Sequence, residues 1–177
     1  MHVDPCFPGW KCHELTQMLE HAGVDHLTVR ADIYAQVQKV RNPCFVCSRS
    51  RKEKLVRTAE KMSVFNIALA HHRDDIVETL LLNMFYSGRI STLMPGQSVM
   101  QGRFVLVRPM YYMTKDDITN IARASGIEAF KMDCPYYKES NREKIRDLLR
   151  DLQKEDPDIY SNIFRSIFNI TKKYMPS

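Results

Sequence analysis

One stretch constrains this chain more than any other. Phe65-Asn66-Ile67-Ala68-Leu69-Ala70 is a short, mostly apolar run, of the kind that forms a strand buried on both faces of a parallel sheet. It leads straight into His71-His72-Arg73-Asp74-Asp75. Helical spacing follows to about Ser87, with Ile76, Val77, Leu80, Leu81, Met84 and Phe85 expected to point inward and Gly88 placed as a stop. In open α/β sheets the carboxyl edge of the strands is where ligands bind, and a helix N-terminus favours anions. Two adjacent carboxylates there, Asp74 and Asp75, can hold Mg²⁺ beside nucleotide phosphates. They are equally ordinary N-terminal helix residues, each favoured by the dipole by about 0.3–1 kcal/mol. Glu78 falls on the same helix face; it either extends the acidic cluster or faces solvent. His71 and His72 can hydrogen-bond a nucleotide, or simply finish the strand edge.

The remaining sequence repeats the strand–helix alternation. Leu15, Met18, Leu19 and Ala22 recur at helical spacing before Gly23, and His26–Asp32 alternates as a strand. A helix is expected from about Ser48, with Leu55, Val56, Ala59 and Met62 as its apolar stripe. Residues 88–103 read as a loop and Phe104–Val107 as a second buried strand. Thr114 opens a helix with Asp117 at the capping-box position, a weaker partner than Glu. Residues 141–171 read as two helices split by Asp156-Pro157. Ile145, Leu148, Leu149 and Leu152 should face inward on the first, and Ile159, Ile163, Phe164, Ile167 and Phe168 on the second. The expected architecture is α/β, a Rossmann-like parallel sheet with flanking helices. Residues 1–132 would form the α/β domain and 133–177 a C-terminal helical appendage.

Composition narrows the class. With 177 residues, 44% apolar and 27% charged, the chain is ordinary for one globular domain. No apolar run approaches the roughly 18 residues of a membrane span. The first ten residues lack a basic start and an apolar core, so they do not read as a signal peptide. A cytoplasmic location and no membrane partner are the expectation. The net charge of +5 is concentrated: Gln38–Lys61 holds eight basic residues against Glu53 and Glu60, a local +6. Such a field suits a phosphate-rich partner, although a solvated helix face has the same composition.

Five cysteines without a secretory signal favour reduced thiols or metal ligands over disulfides. Cys44 and Cys47 form a CxxC whose basic neighbours should favour thiolates. Cys134, in a loop between Asp133 and Pro135, is the better candidate for a third ligand. Cys6 and Cys12, on or beside the first loop, read as small apolar residues.

Three segments in order carry a family resemblance: His2-Val3-Asp4-Pro5-Cys6-Phe7-Pro8-Gly9-Trp10, Asn42-Pro43-Cys44-Phe45-Val46-Cys47-Ser48-Arg49, and Ala70-His71-His72-Arg73-Asp74-Asp75-Ile76-Val77-Glu78-Thr79. The chain resembles the TtcA family, the tRNA 2-thiocytidine synthetases of the PP-loop ATP pyrophosphatase superfamily, over nearly its whole length. The resemblance implies an enzyme that uses ATP and Mg²⁺ to adenylate the C2 oxygen of a cytidine in the tRNA anticodon loop, after which sulfur displaces AMP at a [4Fe–4S] cluster. Carried over by position, Cys44, Cys47 and Cys134 would hold the cluster. His71, His72, Asp75 and Glu78 would bind the nucleotide and its metal, with Asp75 and Asp74 the catalytic carboxylates. Arg49, Arg51, Lys52 and Lys54 would meet the tRNA. A sulfur donor such as a cysteine desulfurase and a homodimer are further partners by resemblance.

Two departures from the family pattern stand out. The SGGxDS phosphate loop, which should precede His2 with the first strand of the sheet, is not found. A truncated product, a mis-called start or half of a split protein is the corresponding expectation. Tyr137 stands where the second cysteine of a later CxxC should be. A three-cysteine cluster tolerates that change; a four-cysteine zinc site does not. The alternatives are a non-catalytic, cluster- or metal-binding RNA-contacting remnant, and another PP-loop transferase such as a tRNA-Ile lysidine synthetase-like enzyme.

Overall fold

The structure is a computed structural model describing residues 1–127 and 134–174. The Cys134 turn is described; Glu128 to Asp133 lie outside. The chain divides into two compact units. One holds Met1–Ile67, Ser98–Val105 and the described part of 128–140; the other holds Ala68–Gln97, Leu106–Ile127 and the chain from Asn141.

In the first unit, β1 (His2–Asp4) and β2 (Thr28–Arg30) pair in parallel, Val3 opposite Val29, across α1 (Cys12–His21). Helix α1 buries none of its residues, so the Leu15–Ala22 stripe is only half covered. A short helix absent from the expected pattern, α2 (Ile33–Val37), supplies the core instead. Asp32 caps it, accepting from Ala35 N–H at 3.2 Å. Ile33 and Val37, one turn apart, bury fully against Phe7. Trp10, Tyr34 and Tyr136 pack edge-on around the Phe7 ring at 5.6–6.1 Å, a favoured arrangement for aromatic quadrupoles. Helix α3 (Pro43–Lys61) begins earlier than its apolar stripe implies. Pro43 sits in its first turn, where a missing N–H costs nothing, so the CxxC lies on the helix rather than before it. Val56 and Ala59 are buried, whereas Met62 is exposed.

A three-stranded sheet has the order β3-β5-β4, with β3 at Asn66–Ala68, β4 at Gly96–Val99 and β5 at Phe104–Val107. Val105 N–H donates to Phe65 O and Leu69 N–H to Val107 O, a stepping in the same direction that makes β3 and β5 parallel. Strand β4 lies where a loop was expected. Its four-residue turn to β5 is too short for a parallel crossover, so it forms an antiparallel edge on an otherwise parallel sheet.

In the second unit, α4 (Arg73–Ser87) packs its Ile76, Val77 and Leu81 against Ile145 and Leu149 of α6 (Asn141–Glu155) and Phe164 of α7 (Ile159–Ser166), with Tyr111 filling the centre. Gly88, at φ 60°, closes α4 in the left-handed conformation. Met84 and Phe85 were expected inward, yet Phe85 is 56% exposed; Leu148, Leu152 and Phe168 are likewise exposed. On α6 the buried residues are Ile145 and Leu149 rather than Leu148 and Leu152, and Phe168, beyond the end of α7, touches Phe164 at 5.5 Å between ring centres. Thr114 caps α5 (Lys115–Ala124), exchanging hydrogen bonds of 2.8 and 2.9 Å with Asp117. The shorter Asp thus closes the box that Glu usually closes. No described helix is long and apolar enough to cross a membrane.

Candidate functional site

In the second unit, His71 and His72 lie in the turn before α4, and Arg73, Asp74 and Asp75 open the helix. His72 is the N-cap of α4, and its N–H donates to Asp75 Oδ2 at 3.1 Å. Asp75 Oδ1 lies 3.3 Å from Arg142 Nη1. Asp74 Oδ2 accepts from the Lys115 N–H at 3.0 Å, the first residue of α5. Burial works against the Asp74 carboxylate, but His72, the Lys115 N–H and Arg73 outweigh it and leave its pKa below the ordinary value. His72 Nδ1 is 3.5 Å from Asp74 Oδ2, an ion-pair separation rather than a formed hydrogen bond. That carboxylate, with Asp75 and Glu78, raises the His72 pKa against the opposing effect of burial.

Glu78 neither extends an open acidic face nor reaches solvent. It is 4% exposed, and each oxygen meets a different guanidinium: Oε2 accepts from Arg142 Nη1 at 2.9 Å and Oε1 from Arg146 Nε at 2.6 Å. Arg142 therefore joins Glu78 to Asp75. The sequence assigns neither arginine a role in the site. Their signal was the four-residue spacing Arg142-Arg146-Arg150 on an otherwise amphipathic helix, which placed them on one face but not against which partner.

Arg108, which with Pro109 marks the end of a strand in the sequence, has a place in the site that the sequence does not show. It is 4% exposed, and its Nε donates to His71 Nδ1 at 3.4 Å. Burial lowers the His71 pKa; Asp75 opposes this, and Arg108 and Arg142 add to it.

The thiols belong to the first unit. Cys44 and Cys47 lie one turn apart in the first turns of α3. Cys47 and Cys134 both pack, partly buried, on the Phe7–Ile33–Val37 core. The Cys44 Sγ contacts the Tyr136 carbonyl at 3.9 Å across 92 residues of chain. Tyr137, at the position of the lost cysteine, donates its N–H to the Cys134 carbonyl at 3.1 Å and closes a turn. The expected thiolate bias is reversed at Cys47. Burial pushes its pKa up, Arg51 pulls it down, and the thiols of Cys134 and Cys44 push it up again. Desolvation and two like groups outweigh one exposed guanidinium.

Among the described residues, no three His, Cys, Asp or Glu side chains are gathered tightly enough for one metal ion. The donor chemistry nevertheless fits larger groups. A four-iron cluster takes each thiolate on a separate iron, so its ligands need not converge on a point. Mg²⁺ is commonly held by one or two carboxylates together with substrate phosphates, and Asp74 and Asp75 match that count. On α3, Arg49, Arg51 and Lys52 are exposed and Lys54 is half-buried. None of the four makes an ion pair among the described residues, whereas Arg57 pairs with Glu53 at 2.6 Å.

A family model for the PP-loop domain matches residues 12–152. The chain belongs to the PP-loop family. This PP-loop chain is 37% identical, over 99% of its length, to a tRNA-cytidine(32) 2-sulfurtransferase of Methylobacillus flagellatus, and covers 59% of it. Enzymes of the same name from Cupriavidus necator and Vibrio vulnificus are each 33% identical over 99% of the chain, which covers 57% and 58% of them. The chain thus spans a little under three-fifths of the relatives it matches. Among solved structures, the U34-tRNA thiolase NcsA from Methanococcus maripaludis, determined with its [4Fe-4S] cluster, matches 93% of this chain and 58% of its own, with a TM-score of 0.71 and 20% identity. That likeness shows the fold, and the α/β architecture expected from the PP-loop motif is the one observed.

Proposed function

We propose that the chain serves ATP-dependent tRNA thiolation, forming 2-thiocytidine in the anticodon loop. Asp75 and Asp74 are the carboxylates that face the magnesium nucleotide, with His71 and His72 beside it at the N-terminus of α4. That end of the helix favours phosphate, and Mg²⁺ offsets the charge that develops as the cytidine oxygen is adenylated. Glu78 holds Arg142 and through it Asp75, and so serves the nucleotide site from within the core. Cys44, Cys47 and Cys134 hold a [4Fe–4S] cluster; when bound, it supplies an iron without a protein thiolate, on which sulfur can be carried. Arg49, Arg51, Lys52 and Lys54 meet the tRNA backbone. The partners on this reading are tRNA, a sulfur donor such as a cysteine desulfurase, and a second copy of the chain.

The observation that supports the reading is that Cys47 and Cys134, from segments some ninety residues apart, pack on one small aromatic core, with the Cys44 thiol against the Tyr136 carbonyl. The chain's relatives support the same reading: those from Methylobacillus flagellatus and Cupriavidus necator are tRNA-cytidine(32) 2-sulfurtransferases, and the thiolase of similar fold holds a [4Fe-4S] cluster. Anaerobic reconstitution with iron and sulfide tests it. The wild-type chain should gain about four irons and a broad visible absorbance, and Cys44→Ala, Cys47→Ala and Cys134→Ala should each lose it. Equal iron uptake by the triple variant overturns the ligand set. Failure of ATP to bind the folded chain, by equilibrium dialysis, overturns the nucleotide part.

A further inference from the structure

Arg108 directly follows β5 and lies buried in the second unit. It is 4% exposed, and its charge faces no carboxylate among the described residues. A buried guanidinium without a counter-ion is costly, and hydrogen bonds offset that cost here. The Arg108 Nη1 donates to the Met94 carbonyl, Nη2 to Gln97 Oε1 at 3.5 Å, and its main-chain N–H to the Pro95 carbonyl at 2.8 Å. All three partners come from β4 or the residues before it. The side chain is therefore fixed on one side by the edge of the hairpin. Its remaining group, Nε–H, points at His71 Nδ1, 3.4 Å away.

That last contact determines the state of the imidazole. A guanidinium Nε only donates, because arginine keeps its protons in proteins. The ring nitrogen facing it must accept, so Nδ1 carries no hydrogen. A neutral His71 then has its single hydrogen on Nε2, and no acceptor among the described residues takes it. We propose that Arg108 is a positioning residue that holds His71 neutral in the Nε2–H form, with that N–H presented to an oxygen of the bound nucleotide. The second half rests on the nucleotide reading of His71 given above; the first half does not. The direction of the His71 pKa, lowered by burial with Arg108 and Arg142 adding to it against Asp75, is consistent with the neutral ring. Without Arg108 the two tautomers would interchange and the donor would be present only part of the time.

The test is a two-bond ¹⁵N–¹H correlation spectrum of the chain labelled at histidine nitrogens, near pH 7. His71→Gln assigns the His71 signals by their loss. The wild-type ring is expected to show an unprotonated Nδ1 and a protonated Nε2. Arg108→Met and Arg108→Lys are expected to replace that pattern with exchange-averaged shifts of both nitrogens. An Nδ1–H or doubly protonated ring in the wild type overturns the assignment, and this measurement stands even if both variants fail to fold. A wild-type pattern kept in a folded Arg108→Met chain overturns the role of Arg108. Adding magnesium ATP should shift the Nε2–H signal of the wild type. ATP that binds by equilibrium dialysis and leaves that signal unmoved removes the donor role. ATP that does not bind at all removes the nucleotide reading and leaves the tautomer result in place.

Discussion

Glu78 is a single carboxylate between two guanidiniums, and its burial decides what its loss does. Removing one partner of a buried ion pair leaves uncompensated charge. Arg142 and Arg146 are partly exposed, which softens the loss by letting water reach them. Glu78→Gln is expected to destabilise the chain by about 2–4 kcal/mol, read from the midpoint of urea unfolding at constant slope; a change below about 0.5 kcal/mol would mean the clamp is not formed. Cys12 gives a second prediction at this scale. Burial first, then Asp4 and Cys6, push its thiol up from 9.0 to about 11. Two units mean roughly 100-fold less thiolate near pH 8, partly offset because a more basic thiolate is more nucleophilic. Iodoacetamide should modify Cys12 in the folded chain roughly 10-fold more slowly than in the urea-unfolded chain, by mass spectrometry of the peptide. Equal rates would show that the thiol is not so held.

At the scale of elements, what was legible depended on how local its cause was. The β3–α4 unit could be read because strand, acidic turn, helix and Gly88 are each written in adjacent residues. Strand β4 could not, because the turn that pairs it with β5 places Met100 and Gln101 at φ 54° and 58°. Neither is a residue that announces a left-handed turn. Helix α2 was missed because five residues are too few to show a period, and its burial of Ile33 and Val37 depends on Phe7, far away in sequence. Periodicity found the apolar faces of α4 and α6 but not where they lose their cover. The contrast within α6 tests that distinction. Leu149→Ala, fully buried, should cost about 2–5 kcal/mol, and Leu152→Ala, at the exposed end, under about 1 kcal/mol. Similar costs for both would put the helix in the wrong rotation. The site was legible in the same partial way: motifs gave the carboxylates and the CxxC, but not Arg108, Arg142 or Arg146, whose roles appear only when distant segments pack.

For the molecule as a whole, net charge of +5 matters less than where the unpaired part of it lies. Arg57 and Arg103 are tied to Glu53 and Glu60, which leaves Arg49, Arg51 and Lys52 as exposed cations near the CxxC end of α3. If these meet RNA phosphates, Arg49→Ala and Lys52→Ala should each weaken tRNA binding and reduce the slope of log affinity against log salt by about 1, by anisotropy titration. An unchanged slope would take this face out of the interface.

The bridge from Glu78 and Asp75 to Arg142 and Arg146 has a consequence for how the protein is made. The acidic helix emerges from the ribosome more than sixty residues ahead of the cations that hold it. Until α6 follows, the His72 and Lys115 N–H groups can hold Asp75 and Asp74, but Glu78 lacks the two guanidiniums that clamp it. Translation stalled before Arg142 would leave Glu78 without its clamp, and only a chain carried beyond Arg146 holds both of its cations.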